Sequence, residues 1–271
     1  ASIYNPNLKG FVLEQIKIHN VTNTYEVTSE SHPITFDNKF SIGLIGDPLF
    51  SQEGKANQTI KPLPNTLVEI NMIDSLVSNQ QINSIKLAGR GANELNVKNM
   101  ESPSVLHFAT HGFFLSDKEK SEDVYSVGNN PLTKSGLLLS GAEKYFFGDH
   151  IEVASSQNEE DNILTALEVL NMNLSNTELV VLSACETGLG EVKNGEGVYG
   201  LQRAFIIAGA NSVLMSLWKV DDLTTNELMV LYYKNILAGV NKFDALNKAQ
   251  NTLKEKYNHP YYWGAFVING I

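Results

Sequence analysis

Two apolar runs, Ser104 to Ala109 and Glu178 to Ser183, constrain this chain more than any other feature. Within them Val105-Leu-His-Phe-Ala109 and Leu179-Val-Val-Leu182 hardly alternate. A strand with one wet face alternates polar and apolar residues. A nearly continuous run needs cover on both faces, which parallel sheets obtain from crossover helices. Each run also ends on a chemically active side chain with a glycine close behind: His111-Gly112 in the first, Cys185-Glu-Thr-Gly188 in the second.

The rest of the chain fits such a sheet. Phe40 to Ile45 predicts a strand closed by Gly46-Asp47-Pro48, and Ser84 to Ala88 another. Leu67, Ile70, Ile73, Leu76 and Val77 recur at helical spacing after Pro62 and Pro64, which predicts a helix over Thr66 to Asn79. Helices are further expected over Ala92 to Asn99, Val198 to Ala208 (ending at Gly209), Leu223 to Leu237 and Phe243 to Lys256. Strands are expected over Ser212 to Trp218 and Trp263 to Ile268. Phe11 to Ile18 reads as a strand beside the core. The alternation of strands and helices implies an α/β domain with a mostly parallel sheet. Ser116 to Lys134 and Gly141 to Asn162 are poor in core residues and longer than most loops. The acidic Ser155-Ser-Gln-Asn-Glu-Glu-Asp161 reads as a solvated surface insertion.

Bulk properties exclude several functions. With 271 residues the chain can bury a substantial core. No run of about 18 apolar residues is present, so no membrane span is expected. The first residues lack a signal-peptide pattern and an initiator Met, which suggests a piece of something longer. A single cysteine rules out an internal disulfide and suits a reducing cytoplasm. A formal charge of -10 without any Lys/Arg cluster argues against direct nucleic-acid binding.

The chemistry concentrates at the strand ends. In parallel sheets the C-terminal edge is where sites form. Cys185, after the small Ser183 and Ala184, is a candidate nucleophile. His111 is a candidate base, and Gly112 permits a sharp turn that leaves an N–H facing a substrate. His107, in mid-strand, reads as a core residue hydrogen-bonded in place. The His107-x-x-x-His111 spacing gives a metal site only on a helix, with Glu after the first His; here Phe108 stands there. No metal and no cofactor are therefore expected. Gly195-x-Gly197-x-x-Gly200 imitates a dinucleotide fingerprint, but it lies about ten residues beyond Cys185 rather than directly after a strand. Asp221 and Asp222 follow another strand end, where they can cap a helix or line a pocket.

Leu106-His-Phe-Ala-Thr-His-Gly112 and Val181-Leu-Ser-Ala-Cys-Glu-Thr-Gly-Leu-Gly190 resemble the signatures of the CHAT family, caspase-like cysteine peptidases of clan CD. Gly195 to Phe205, Ala208 to Val213, Ser216-Leu-Trp-Lys-Val-Asp-Asp222 and His259-Pro-Tyr-Tyr-Trp-Gly-Ala-Phe-Val267 resemble its later blocks. Leu44-Ile-Gly-Asp-Pro48 and Phe11-Val-Leu-Glu14 resemble weaker early ones. The resemblance implies a caspase-haemoglobinase-like α/β fold, a mostly parallel β-sheet sandwiched between helices. Residues 1–39 would be an N-terminal strand and connecting segment, and 40–271 the catalytic core.

The resemblance further implies a bacterial, cytoplasmic cysteine endopeptidase, with His111 as general base, Cys185 as nucleophile, and the N–H groups of Gly112 and Cys185 as oxyanion hole. Its substrate would be a protein or peptide. A tetratricopeptide-repeat or other sensor would lie outside this chain, with a link to gasdermins or RNA-guided effectors in antiviral defence. The alternative is a catalytically silent interaction module on the same scaffold. Caspases hold an acidic P1 residue with arginines, and this chain has only Arg90 and Arg203. The acids Glu186, Asp221 and Asp222 favour a basic P1 side chain instead, and the segment Leu217-Trp218-Lys-Val-Asp-Asp222, which resembles a separase block, points the same way.

Overall fold

The computed structural model describes residues 4–6, 10–11, 32–51, 60–115, 131–146, 160–183, 196–218 and 220–271. Strands β1 (Tyr4–Asn5) and β2 (Gly10–Phe11) form a short antiparallel ladder. The Phe11 ring packs edge-on against Trp263, centroids 5.0 Å apart. Residues 12–18 of the expected first strand lie outside the described residues. In chain order there follow β3 (Ser41–Pro48), α1 (Pro64–Ser78), β4 (Asn83–Gly89), α2 (Glu94–Lys98), β5 (Val105–Ala109) and β6 (Gly112–Phe114). Next come β7 (Ser135–Leu138), β8 (Ile163–Thr165), α3 (Ala166–Val169), β9 (Leu179–Leu182) and α4 (Glu196–Ile207). The last elements are β10 (Ser212–Ser216), α5 (Asp222–Leu237), α6 (Lys242–Lys256) and β11 (Phe266–Gly270).

The main sheet has the order β11-β10-β9-β5-β3-β4, parallel throughout except for antiparallel β11 at one edge. Its strands sort their side chains by parity. Val105, Ala109, Leu179, Val181 and Leu214 face α1, α5 and α6, where Ile70, Ile73, Leu228, Tyr233 and Leu246 meet them. Leu106, Phe108, Val180, Leu182 and Val213 face the other way, against Val169, Leu201, Ala204 and Phe205. Both faces are dry, which is why β5 and β9 are apolar without alternation. The α/β class and the mostly parallel sheet between helices agree with the sequence reading.

Two local differences matter for the site. The expected stop at Gly46-Asp47-Pro48 does not end β3. The strand runs on to Pro48, and its pairing with β4 shifts register between Gly46 and Pro48. Asp47 takes a left-handed φ of 49° there, and its N–H donates to Thr66 Oγ1 at 2.8 Å. Gly46 is needed for a different reason: a Cβ there would sit 2.9 Å from the Ile70 side chain and 3.0 Å from the Thr66 carbonyl oxygen. Together these features press the first turn of α1 onto the C-terminal edge of the sheet.

The second difference is a sheet that periodicity did not announce. β6, β7 and β8 pair antiparallel, in the order β6-β7-β8, directly after His111. The stretches expected as long loops therefore carry strands at their borders. Residues 116–130 and 147–159 lie outside the described residues.

At the opposite end of the sheet, Lys242 is only 3% exposed. Its Nζ donates to the Glu178 carbonyl at 3.2 Å and lies 3.9 Å from the Glu178 carboxylate. Burial lowers its pKa to about 8, partly offset by Glu178. The unfolded chain thus holds this proton more tightly, so the penalty is full below about pH 8 and is relieved as pH rises toward 10.5. Lys242→Met is expected to stabilise the fold at pH 7 by about 1–2 kcal/mol. It should also remove this group's share of the rise in stability above pH 8. Denaturant melts across pH 7 to 10 check both.

Candidate functional site

His111 stands two residues past β5 and directly before β6, at the C-terminal edge of the sheet. The chain can place it there because β5 ends on small Ala109 and Gly112 opens the next strand. The residue is 2% exposed. Its Nε2 lies 2.7 Å from the carbonyl oxygen of Lys61. A carbonyl only accepts, so in the neutral ring Nε2 carries the proton and Nδ1 the lone pair. The Phe50 ring lies 5.2 Å from the imidazole and tilts 39° to it. The imidazole thus has its tautomer set by one backbone oxygen and its plane limited by one aromatic ring.

Neighbouring β9 leads toward Cys185. β5 and β9 are adjacent and parallel, with Phe108 opposite Leu182. His111 and Cys185 each lie three residues beyond that pair in sequence. Cys185 and Glu186 themselves fall outside the described residues. Ser183, the last described residue before them, is buried at 7% exposure, and its Oγ has no hydrogen-bond partner among the described residues. Gly112 is buried and faces Leu137 across β6 and β7.

A cleft of about 240 Å³ opens beside His111. Lys61 to Leu63 and the first turns of α1 form one wall, with Thr110, His111 and Ser183 at the sheet edge and Val220, Asp222 and Thr225 opposite. The two adjacent acids have divided their roles. Asp221 caps α5, its Oδ1 accepting from Thr224 N–H at 3.0 Å. Asp222 is exposed and lines the cleft. Trp218 is not in its lining; its indole N–H donates to the Tyr261 carbonyl at 3.2 Å. The structure thus brings His111 and Asp222 together and sets Asp221 and Trp218 apart from them.

Three participants escape a reading by motif. The Lys61 carbonyl is a backbone group, so residue type says nothing of it; only the flanking Pro62 and Pro64 hint at a fixed bend. Thr225, on α5, is 6% exposed with an unpartnered Oγ1 in the cleft. Glu69 did leave a signal. It falls on the buried stripe of α1 with Thr66, Ile70, Ile73 and Val77, and an acid on an apolar stripe wants a partner. That partner is His107, fully buried, whose Nε2 lies 2.9 Å from Glu69 Oε1 and whose Nδ1 lies 3.1 Å from Tyr233 Oη.

A second cluster gathers Glu94, Glu160 and Glu168. Lys98 Nζ sits among them at 2.6, 2.9 and 3.1 Å, where a metal ion would otherwise go. Burial, and then the neighbouring Glu168, raise the pKa of Glu94. Against its own burial, the bonds from Glu94 and Thr165 hold Glu168 low. One proton thus belongs to the pair near neutral pH.

Among the described residues no helix is long and apolar enough to cross a membrane. The chain is 24% identical over 239 residues to the mouse tetratricopeptide repeat protein 28, covering 84% of this chain and 9% of that protein. It is 27% identical over 263 residues to the human protein of the same name, covering 90% of this chain and 10% of the relative. The chain thus spans about a tenth of the length of these curated relatives. A crystal structure of the Arg-specific cysteine proteinase gingipain R superposes with a TM-score of 0.48 at 11% identity, over 89% of this chain and 48% of that one. The CHAT domain family model matches residues 1–271, the whole of this sequence, and the chain is a member of the CHAT domain family.

Proposed function

We propose that this domain is a cysteine endopeptidase, with His111 as general base and Cys185 as nucleophile. The observation that supports it most is the paired register of β5 and β9, from whose Phe108–Leu182 pair both residues are equally offset in sequence. With Nε2–H committed to the Lys61 carbonyl, Nδ1 takes the thiol proton. The thiolate attacks the scissile carbonyl carbon, and the oxyanion draws on the N–H groups of Gly112 and Cys185. Collapse expels the amine, which receives the proton from His111. Water, deprotonated by the same imidazole, then hydrolyses the thioester and regenerates the thiol.

The cleft walls suit a basic P1 side chain. Asp221 is spent on its helix, which leaves Asp222 as the acid at the mouth. Asp222→Asn is expected to lower kcat/KM for an Arg or Lys P1 substrate by about tenfold, with little change in stability, since this acid is exposed. A positional peptide library on the parent and variant reads this. Preferred cleavage after Asp, or after Leu with no gain from Arg, would reject it.

The repeat-protein relatives support a larger architecture. In it, a sensor region outside these residues governs the protease domain.

A further inference from the structure

The cleft beside His111 is closed at depth by a carboxylate that lacks a lysine or arginine partner among the described residues. Glu69 is 3% exposed and lines the cleft. Its bonded partner, His107, is held on the far side by Tyr233. The direction of that chain follows from the phenol. Among the described residues the Tyr233 O–H meets no acceptor besides His107 Nδ1. Burial, with Tyr232 and Glu69 nearby, keeps its proton far above the ordinary range. The phenol therefore donates to Nδ1, and Nε2–H donates to Glu69. Glu69 accepts from that ring, and no lysine or arginine among the described residues pairs with it. A buried carboxylate held only by one ring N–H is poorly compensated.

The walls above it are equally unfinished. Ser183 Oγ and Thr225 Oγ1 are buried, line the same cleft and have no hydrogen-bond partner among the described residues. Native folds leave few such groups, and each one asks for a ligand or water. A carboxylate floor, two hydroxyl walls and Asp222 at the mouth present acceptors, and the exposed Lys61 is the one lysine or arginine in the lining. We infer that the cleft receives the cationic end of an arginine or lysine side chain, with Glu69 as its deep counter-charge and the Ser183 and Thr225 hydroxyls accepting its remaining N–H groups. Glu69 is then the specificity-determining residue, and Asp222 assists from the mouth. The inference rests on reading this cleft as the P1 pocket of a peptidase.

The test separates the two. Agmatine, a decarboxylated arginine, needs no chemistry to bind and can be titrated by NMR into Cys185→Ala protein. It is expected to bind, and Glu69→Gln, which keeps an acceptor for His107, should weaken it at least about tenfold. In active protein the kcat/KM ratio of an arginine substrate over its neutral citrulline isostere should fall about 100-fold in Glu69→Gln. Thr225→Val should weaken agmatine about threefold without lowering the melting temperature, because its oxygen bonds nothing in the fold. An agmatine affinity and an Arg:citrulline ratio that ignore Glu69→Gln would overturn the inference. So would a parent that cleaves after apolar residues and binds no agmatine, and that result would leave the peptidase reading standing. Glu69-dependent agmatine binding in a protein that cleaves no peptide would do the reverse.

Discussion

Replacing Cys185 by alanine is expected to lower peptide cleavage by at least about 10⁴-fold and to leave the melting temperature within about 2 °C of the parent. A dyad works as a unit. In the proposed dyad the thiol is the attacking group, and His111 alone adds little to water. His111→Ala should therefore lose nearly as much, and the double variant little more than either single one. Cys185 is a small side chain three residues past β9 in sequence, and its removal should leave the two apolar cores on the sheet faces intact, so folding should not follow activity down. Turnover and thermal melts on the same purified proteins decide the matter. Cleavage surviving in Cys185→Ala would remove the thiol from the mechanism, and equal loss of fold and activity would make the residue structural.

His107→Ala is expected to do the opposite, costing about 3 kcal/mol or more of stability. The ring lies fully buried between Glu69 of α1 and Tyr233 of α5. Its loss leaves a cavity, a buried carboxylate without its donor and a phenol without its acceptor, and each of these is costly. His111→Ala, at the cleft, removes one bond to a loop carbonyl and should cost about 1 kcal/mol. Urea melts of the two variants should therefore differ by several-fold in ΔΔG, with activity ordered the other way. If the two histidines exchange these behaviours, the base has been assigned to the wrong one.

What could be read without coordinates followed from burial. The dry faces of β5 and β9 wrote themselves into the sequence as unbroken apolar runs, and the helical spacing along α1, α5 and α6 marked the layer above them. The β6–β8 sheet was hidden because its strands are three or four residues long, too short for a period to show. Asp47 and Pro48 read as a stop, since Pro rarely sits in mid-sheet. Here they fall at a register shift in β3, where the break in pairing is tolerated. The place of His111 at the sheet edge could be read from the apolar run before it. The division between Asp221 and Asp222 could not, because it depends on where the first turn of α5 begins.

The oxygen that fixes the His111 tautomer belongs to the main chain of residue 61. Any side chain at that position supplies the same oxygen, so a scan by alanine substitution would pass over it and record a tolerant surface lysine. Its genetic footprint is displaced onto its neighbours. Buried Ile60 and the two prolines, Pro62 and Pro64, decide where the peptide plane points, and insertions or deletions between residues 60 and 64 should be tolerated far less than any exchange of Lys61 itself. The orientation of the His111 imidazole is thereby specified by chain geometry, and drift in the composition of that bend would leave it untouched.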